Sequence, residues 1–405
     1  MTEQVAERSG TVAVARARWA VLAVFFVNGT VFSTFVSRVP SLKLDLGLSD
    51  GTLGAILTLF GLAALLTMQF AGPLVGRFGS ARVIRLAVVV SPFLLAGIGL
   101  AGDAVQLGGA VLLLGMMHGT LDVAMNAHAV VVERESGRSV MSSCHAAWSI
   151  SAVAASLVGA GFTRAGSSAA EHYLWVGAVL VVAGLAATAG LLPASADRVE
   201  ETGGGGAKRA SWRSGWTRRV CVFGAMGFTA MILEAMVISW SGVFLHDARG
   251  ATLAAAALGF TAFSACQAAG RLVGDRLTER HGAPALFRVG GVIAAVGLAV
   301  VVLSPSWVAG IAGFALLGLG GSVLLPLIFS AVGHAGGAGA GAATFLSRFT
   351  TFTYAGGLIG PALIGWFAEA TSLTWTLAGL LPLLGAVVLN ARVMAGQERK
   401  APLAG

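Results

Sequence analysis

The stretch GPLVGRFGSAR at residues 72–82 is answered 198 residues later by GRLVGDRLTERHG at residues 270–282. Each follows an apolar run about long enough to cross a bilayer, and half of the 405-residue chain is about one repeat unit. Working outward from the two tethers, further apolar runs fall near 19–36, 51–71, 83–101, 107–132, 140–162 and 172–192 in the first half. In the second half they fall near 220–245, 252–270, 284–303, 307–332, 341–367 and 373–394. A hydrocarbon core of about 30 Å needs roughly 20 helical residues, so each run is read as one span. The fold class expected is an all-α polytopic membrane protein, with twelve transmembrane helices in two pseudo-symmetric six-helix bundles. The short alternating segments of a closed β-barrel are absent from the sequence.

Composition points the same way. With 56% hydrophobic residues, 11% charged residues and a mean hydropathy of +0.84, the chain has too little polar surface to cover a water-soluble globule, so membrane lipid is its expected solvent. The net charge of +8 does not point to nucleic acid, because the basic residues sit at span ends. All 26 fall on one face of the predicted topology except Arg38, Lys43, Arg164 and Arg249, which lie opposite, and Arg348, inside span 11. That bias makes both termini cytoplasmic. The run from Trp19 to Val36 is too long for a cleavable signal core and is expected to stay in the membrane. The resulting plan is a cytoplasmic tail over 1–18, a bundle over 19–193, a Gly- and Arg-containing linker over 194–219, a second bundle over 220–395 and a tail over 396–405. The three cysteines imply no disulfide framework.

A charged side chain at mid-membrane costs about 2.5–3.5 kcal/mol on insertion scales, so each one kept there calls for a role. Span 4 places His118, Asp122 and Asn126 on one helical stripe by four-residue spacing. Glu133 returns to that stripe about 16 Å along the axis. Span 5 brings His145 back to the depth of Asn126 and puts Trp148 on the same face. Glu234 is the one acid deep in a second-half span, and span 1 offers Asn28 at similar depth. Trp240 and Tyr354 extend the set. Arg348 is expected either to reach out to the cytoplasmic end or to pair with a buried carboxylate. Desolvation makes a carboxyl hold its proton more tightly, so Asp122, Glu234, Glu133 and His145 are read as the proton-coupling candidates. The substrate-binding candidates are Asn28, His118, Asn126, His145, Trp148, Glu234, Trp240 and Tyr354. In the tethers, Gly72, Arg77, Arg82, Gly270, Asp275, Arg276 and Arg280 are the gating candidates: the glycines permit close helix approach, and the arginines suit carboxylates or helix C-termini, besides anchoring the chain.

The paired tethers, twelve spans and central loop resemble the major facilitator superfamily of secondary transporters. That family usually carries an acid where this chain has Gly76, whereas the second tether keeps Asp275. The Asp-Val-Ala-Met-Asn string of span 4, with His145 and Ser149 in span 5 and Glu234, Trp240 and Ser241 in span 7, resembles a narrower bacterial group similar to fucose permeases. The resemblance implies a proton-linked carrier of the bacterial cytoplasmic (inner) membrane whose span 4 acid, here Asp122, takes part in coupling. Fucose permeases also place an acid in span 1, where this chain has Asn28, which argues against carrying over the sugar. The glycine-proline run from Gly356 through Gly360 and Pro361 to Gly365 is similar to one that drug exporters carry in span 5, and in span 11 it is read as tight packing.

The function expected is secondary transport of a small polar solute by alternating access, with protons as the coupling ion, no cofactor, no metal and a monomeric chain. The alternative is proton-driven export of a drug or metabolite. A non-transporting sensor and a metal-dependent membrane enzyme on His118, Asp122 and His145 are the remaining classes. No nucleotide-binding loop is present in the sequence, and an enzyme leaves the repeat unexplained.

Overall fold

A computed structural model describes residues 2–48, 50–196, 215–337 and 340–397. Most of the linker read from the sequence and the end of the C-terminal tail therefore lie outside the described residues. The helices are Thr2–Ser37 (α1), Val39–Asp45 (α2), Asp50–Phe78 (α3), Ser80–Gly99 (α4), Ala104–Ser136 (α5), Met141–Arg164 (α6) and Ala169–Thr188 (α7). They continue as Arg218–Val243 (α8), Leu253–His281 (α9), Ala283–Leu303 (α10), Trp307–Gly321 (α11), Leu324–Ala335 (α12), Ala340–Ala370 (α13), Leu373–Ala378 (α14) and Leu380–Leu389 (α15). A π-helical turn, Phe244–Ala248, extends α8.

Ten stretches of the described residues are long and apolar enough to cross a membrane. With α9 and α13, at 29 and 31 residues, they give the twelve spans of a polytopic all-α protein. Span 1 is longer than its apolar run, since the helix begins at Thr2. Spans 10 and 12 are each broken in two. Pro326 and Pro382 lack the N–H that would continue the ladder, and their rings crowd the carbonyl four residues back, at Ser322 and Ala378, where α11 and α14 stop.

By contacts the chain divides into two units. The first comprises Met1–Val140, Cys144–Gly215 and Gly336–Ser347; the second comprises Met141–Ser143, Trp216–Ala335 and Arg348–Gly405. In the first, α5 packs on α3 and α4, and α4 on α7. Small residues set the α3–α5 distance: a Cβ on Gly115 would stand 2.4 Å from the Phe60 carbonyl oxygen, and one on Gly119 2.4 Å from that of Ala64. The second unit repeats the device where α11 packs on α9, with a Cβ on Gly318 falling 2.2 Å from the Phe263 carbonyl oxygen. Gly356, Gly360 and Gly365 bring α13 onto α8 at Phe228, Ile232 and Trp240, which is the packing role expected of that run.

Polar ends are capped locally. The Asp103 side chain accepts N–H bonds from Val105 and Gln106 at the start of α5, and Ser168 and Glu171 form a capping box on α7. The repeat reaches the backbone at the tethers. The turn between α3 and α4 has Gly79 at φ 82°, ψ 149°, and the turn between α9 and α10 has Gly282 at φ 78°, ψ 150°. Only glycine adopts that conformation without steric cost.

Candidate functional site

In the first unit the predicted polar residues gather on α1, α5 and α6. His118 Nδ1 lies 3.1 Å from Asn28 Oδ1, so the ring donates to the amide, and the ring is held between Phe32 and Phe60 with centroids at 5.3 Å from each. Asn28 also donates to the sulfur of Met125, about two turns further along α5. Both residues are buried. Phe32 reaches Trp148 of α6 at 6.0 Å, and Phe25 reaches His145 at 5.6 Å. The close approach of α1 and α6 depends on Gly29, where a Cβ would stand 2.9 Å from the Trp148 carbonyl oxygen.

Asp122 and Asn126 differ from this satisfied pair. Asn126 donates to the Asp122 backbone carbonyl at 2.8 Å, leaving its own Oδ1 buried without a partner. Asp122 Oδ2 is likewise buried and has no hydrogen-bond partner among the described residues. Buried polar atoms are nearly always paired, so two orphan oxygens one turn apart on a helical stripe set Asp122 and Asn126 apart from their neighbours. The acid at the end of that stripe is already occupied: Glu133 Oε1 accepts the Val140 N–H at 3.0 Å and the Ser139 hydroxyl at 3.4 Å, closing the turn into α6.

In the second unit Glu234 of α8 meets Arg271 of α9, with Nη2 to Oε1 at 3.7 Å. Arg271, which its position in the sequence groups with the basic residues of one membrane face, is 5% exposed. The physical reason is that α9 runs unbroken to His281, which keeps Arg271 ten residues inside the helix. Gln267, one turn earlier on α9, is also buried and lines the same small cavity as Glu234 and Phe263. Neither Gln267 nor Arg271 was singled out as a site residue by sequence; the signal was their four-residue spacing on a span. Trp240 Nε1 donates to the Pro361 carbonyl at 3.2 Å, a bond that joins α8 to α13. Tyr354 is half-buried on α13. Arg348 does not reach out to solvent: it is 1% exposed, with its guanidinium 5.4 Å from the Trp216 ring centre.

Of the gating candidates, Asp275 is the most tightly placed. Its two carboxylate oxygens accept the N–H groups of Ser142 and Ser143 at 2.9 and 2.8 Å, at the N-terminus of α6 and within the second unit. An anion there satisfies otherwise orphaned donors and the positive end of the helix dipole. Gly274 makes the approach possible, since a Cβ would fall 2.6 Å from Ser142 Oγ. Gly270 packs on Ser322, and in the first unit Gly72 packs on Thr344 at the start of α13. Arg77, Arg82, Arg276 and Arg280 are all exposed. No cluster of three or more metal-ligating side chains occurs among the described residues.

A sequence profile of the Major Facilitator Superfamily matches residues 21–256 and 223–403. The chain belongs to the major facilitator superfamily. An uncharacterized transporter of Sinorhizobium fredii is 35% identical over 373 residues, covering 91% of this chain and 96% of the relative. An MFS-type transporter of Yersinia pestis is 32% identical over 381 residues, covering 91% and 94%, and the membrane protein MosC of Rhizobium meliloti is 29% identical over 376, covering 93% and 89%. Among solved structures, the transporter FucP in the outward conformation superposes with a TM-score of 0.78 at 17% identity over 94% of this chain and 99% of its own. The proton:xylose symporter XylE does so at 0.73 and 12% over 94% and 95%. These likenesses establish the twelve-helix fold, and the protein is a multi-pass membrane transporter rather than an enzyme.

Proposed function

We propose that this transporter is a proton-coupled secondary carrier of a small polar organic solute in the bacterial inner membrane, working by alternating access with both termini in the cytoplasm. The observation that carries the reading is Asp122: a carboxyl oxygen buried within a membrane span with no partner, next to the equally unpartnered Asn126 Oδ1. An unpaired carboxylate is far costlier to bury than the neutral acid, so an acid held this way suits the exchange of a proton as access alternates. On α1, α5 and α6 of the same unit, Asn28, His118, His145 and Trp148 supply hydrogen-bonding groups beside aromatic faces, the mixture that fixes a polar solute in an otherwise apolar site. Within the second unit, Glu234, Gln267, Trp240 and Tyr354 are assigned to substrate binding. Glu133 is assigned to the turn it closes and not to coupling.

Gating is assigned to the tether at Asp275. The carboxylate holds the α6 N-terminus in this conformation and must release Ser142 and Ser143 when that end of the transporter opens. The first tether carries no acid between Gly72 and Arg82 to do the same, so the latch is one-sided.

The test is transport in proteoliposomes. Asp122→Asn, which mimics the protonated acid, is expected to abolish accumulation driven by a pH gradient while leaving downhill exchange of the same solute intact. Uphill transport at the wild-type level in that variant would remove Asp122 from coupling.

A further inference from the structure

A second cavity lies wholly within the first unit, away from the Asp122 stripe, in the groove formed by α1, α6 and α7. Its volume is about 580 Å³, and its wall includes Phe26, Thr34, Val158, Phe162, Trp175 and Val179. That size falls in the range of small-molecule pockets, about 300–1,000 Å³, and is far larger than the ~30 Å³ share of one water. Apart from the hydroxyls of Thr30 and Thr34 and the indole N–H of Trp175, its side chains are apolar, and Val158, Trp175 and Val179 are exposed along its open side. On α1 the wall runs from Phe26 to Thr34, about 12 Å of helix axis.

The three helices carry their walls to one end, and that end is where the buried polar groups are unsatisfied. Thr34 Oγ1 is buried without a hydrogen-bond partner. Arg38, four residues further on, is 3% exposed. It donates to the Thr163 hydroxyl and the Ser167 carbonyl, yet its Nε has no partner and, among the described residues, it forms no ion pair. Thr163 is the neighbour of the wall residue Phe162. On α7, His172 is fully buried, stacks on Phe162 at 4.6 Å and has neither ring nitrogen paired. It lies one turn before the wall residue Val176. A buried cation without a counter-charge, beside three further unpaired polar atoms, is expensive unless an anion completes it.

We propose that this groove is a binding site for an anionic phospholipid of the surrounding membrane. One acyl chain lies along the apolar wall between Phe26 and Thr34, and the phosphate sits at the Arg38 end, where Thr34 and His172 add hydrogen bonds. The bilayer supplies such a molecule at the open side of the groove, and the charge of Arg38 selects the anionic headgroup over a zwitterionic one. The site is independent of the Asp122 reading and does not require it.

Native mass spectrometry of the full-length protein released from detergent, titrated with phosphatidylglycerol or with phosphatidylcholine of the same acyl chains, tests the proposal. One phosphatidylglycerol is expected to bind about tenfold more tightly than phosphatidylcholine. Arg38→Gln should bring the two lipids level, and Ala183→Phe, which fills the groove without touching the polar end, should weaken both. If Arg38→Gln fails to fold, the Ala183→Phe result stands alone. Equal affinity for the two lipids in the unaltered protein would overturn the proposal. So would phosphatidylglycerol binding unaffected by Ala183→Phe, or a dimer that hides this face and is lost in Ala183→Phe.

Discussion

A carboxyl oxygen held in apolar surroundings with no donor, as at Asp122, is a cost that packing alone does not offset, whereas the Asn28–His118 pair on the same face is fully accounted for by its own bond. The acid of the second unit stands between these cases. Glu234 is 23% exposed and 3.7 Å from Arg271, so removing its charge should cost less than the ~3–5 kcal/mol of a fully buried pair but leave Arg271 poorly compensated. Glu234→Gln is therefore expected to lower the melting temperature of the purified protein by a few degrees. Combining it with Arg271→Met should cost less than the sum of the two single changes. Strict additivity would mean that the two side chains do not interact. At this scale the sequence was readable only in part. The stripe of His118, Asp122 and Asn126 followed from four-residue spacing, but which members satisfy one another depends on α1, and no local pattern carries that information. Arg271 was not singled out because the bias of basic residues toward one face says nothing of which of them is buried against a carboxylate on another helix.

At the scale of the element, glycines do most of the positioning. Gly119 faces the Ala64 carbonyl so closely that any side chain must push α5 away from α3, and α5 is the helix that carries Asp122. Gly119→Val is expected to destabilise the protein by about 1–3 kcal/mol, the usual range for overpacking, and to lower transport through displacement of α5. A thermal melt together with a flux assay checks it, and an unaltered melting temperature would show that the α3–α5 contact yields freely. Apolar runs alone placed the starts of spans 4 and 6 near 107 and 172, three residues inside the helices that the Asp103 and Ser168 caps begin. The breaks inside spans 10 and 12 were not taken from Pro326 and Pro382, because a proline within an apolar run is also compatible with a kinked but continuous helix, as Pro73, Pro92 and Pro361 show in α3, α4 and α13.

For the whole molecule, the architecture was legible because one solvent dictates it: twelve apolar runs of bilayer length admit few arrangements, and the repeated tether chose among them. What a carrier moves leaves no such periodic trace. Its driving force does leave a measurable one. A gradient of one pH unit supplies about 1.4 kcal/mol per proton, enough for about tenfold accumulation at one proton per solute molecule. In proteoliposomes of defined orientation, acid on the outer face is expected to drive solute inward, and a protonophore should collapse the gain. Acid-driven movement outward would instead identify the export mode, and movement indifferent to both would remove protons from the cycle.

The near-identical backbone angles at Gly79 and Gly282 carry a further consequence. Two corners of one shape, each followed by an apolar helix, are interchangeable parts: grafting either onto the other's position asks nothing new of the chain's geometry. Whatever differs between the two tethers is then written in the side chains that flank those corners and not in the corners themselves.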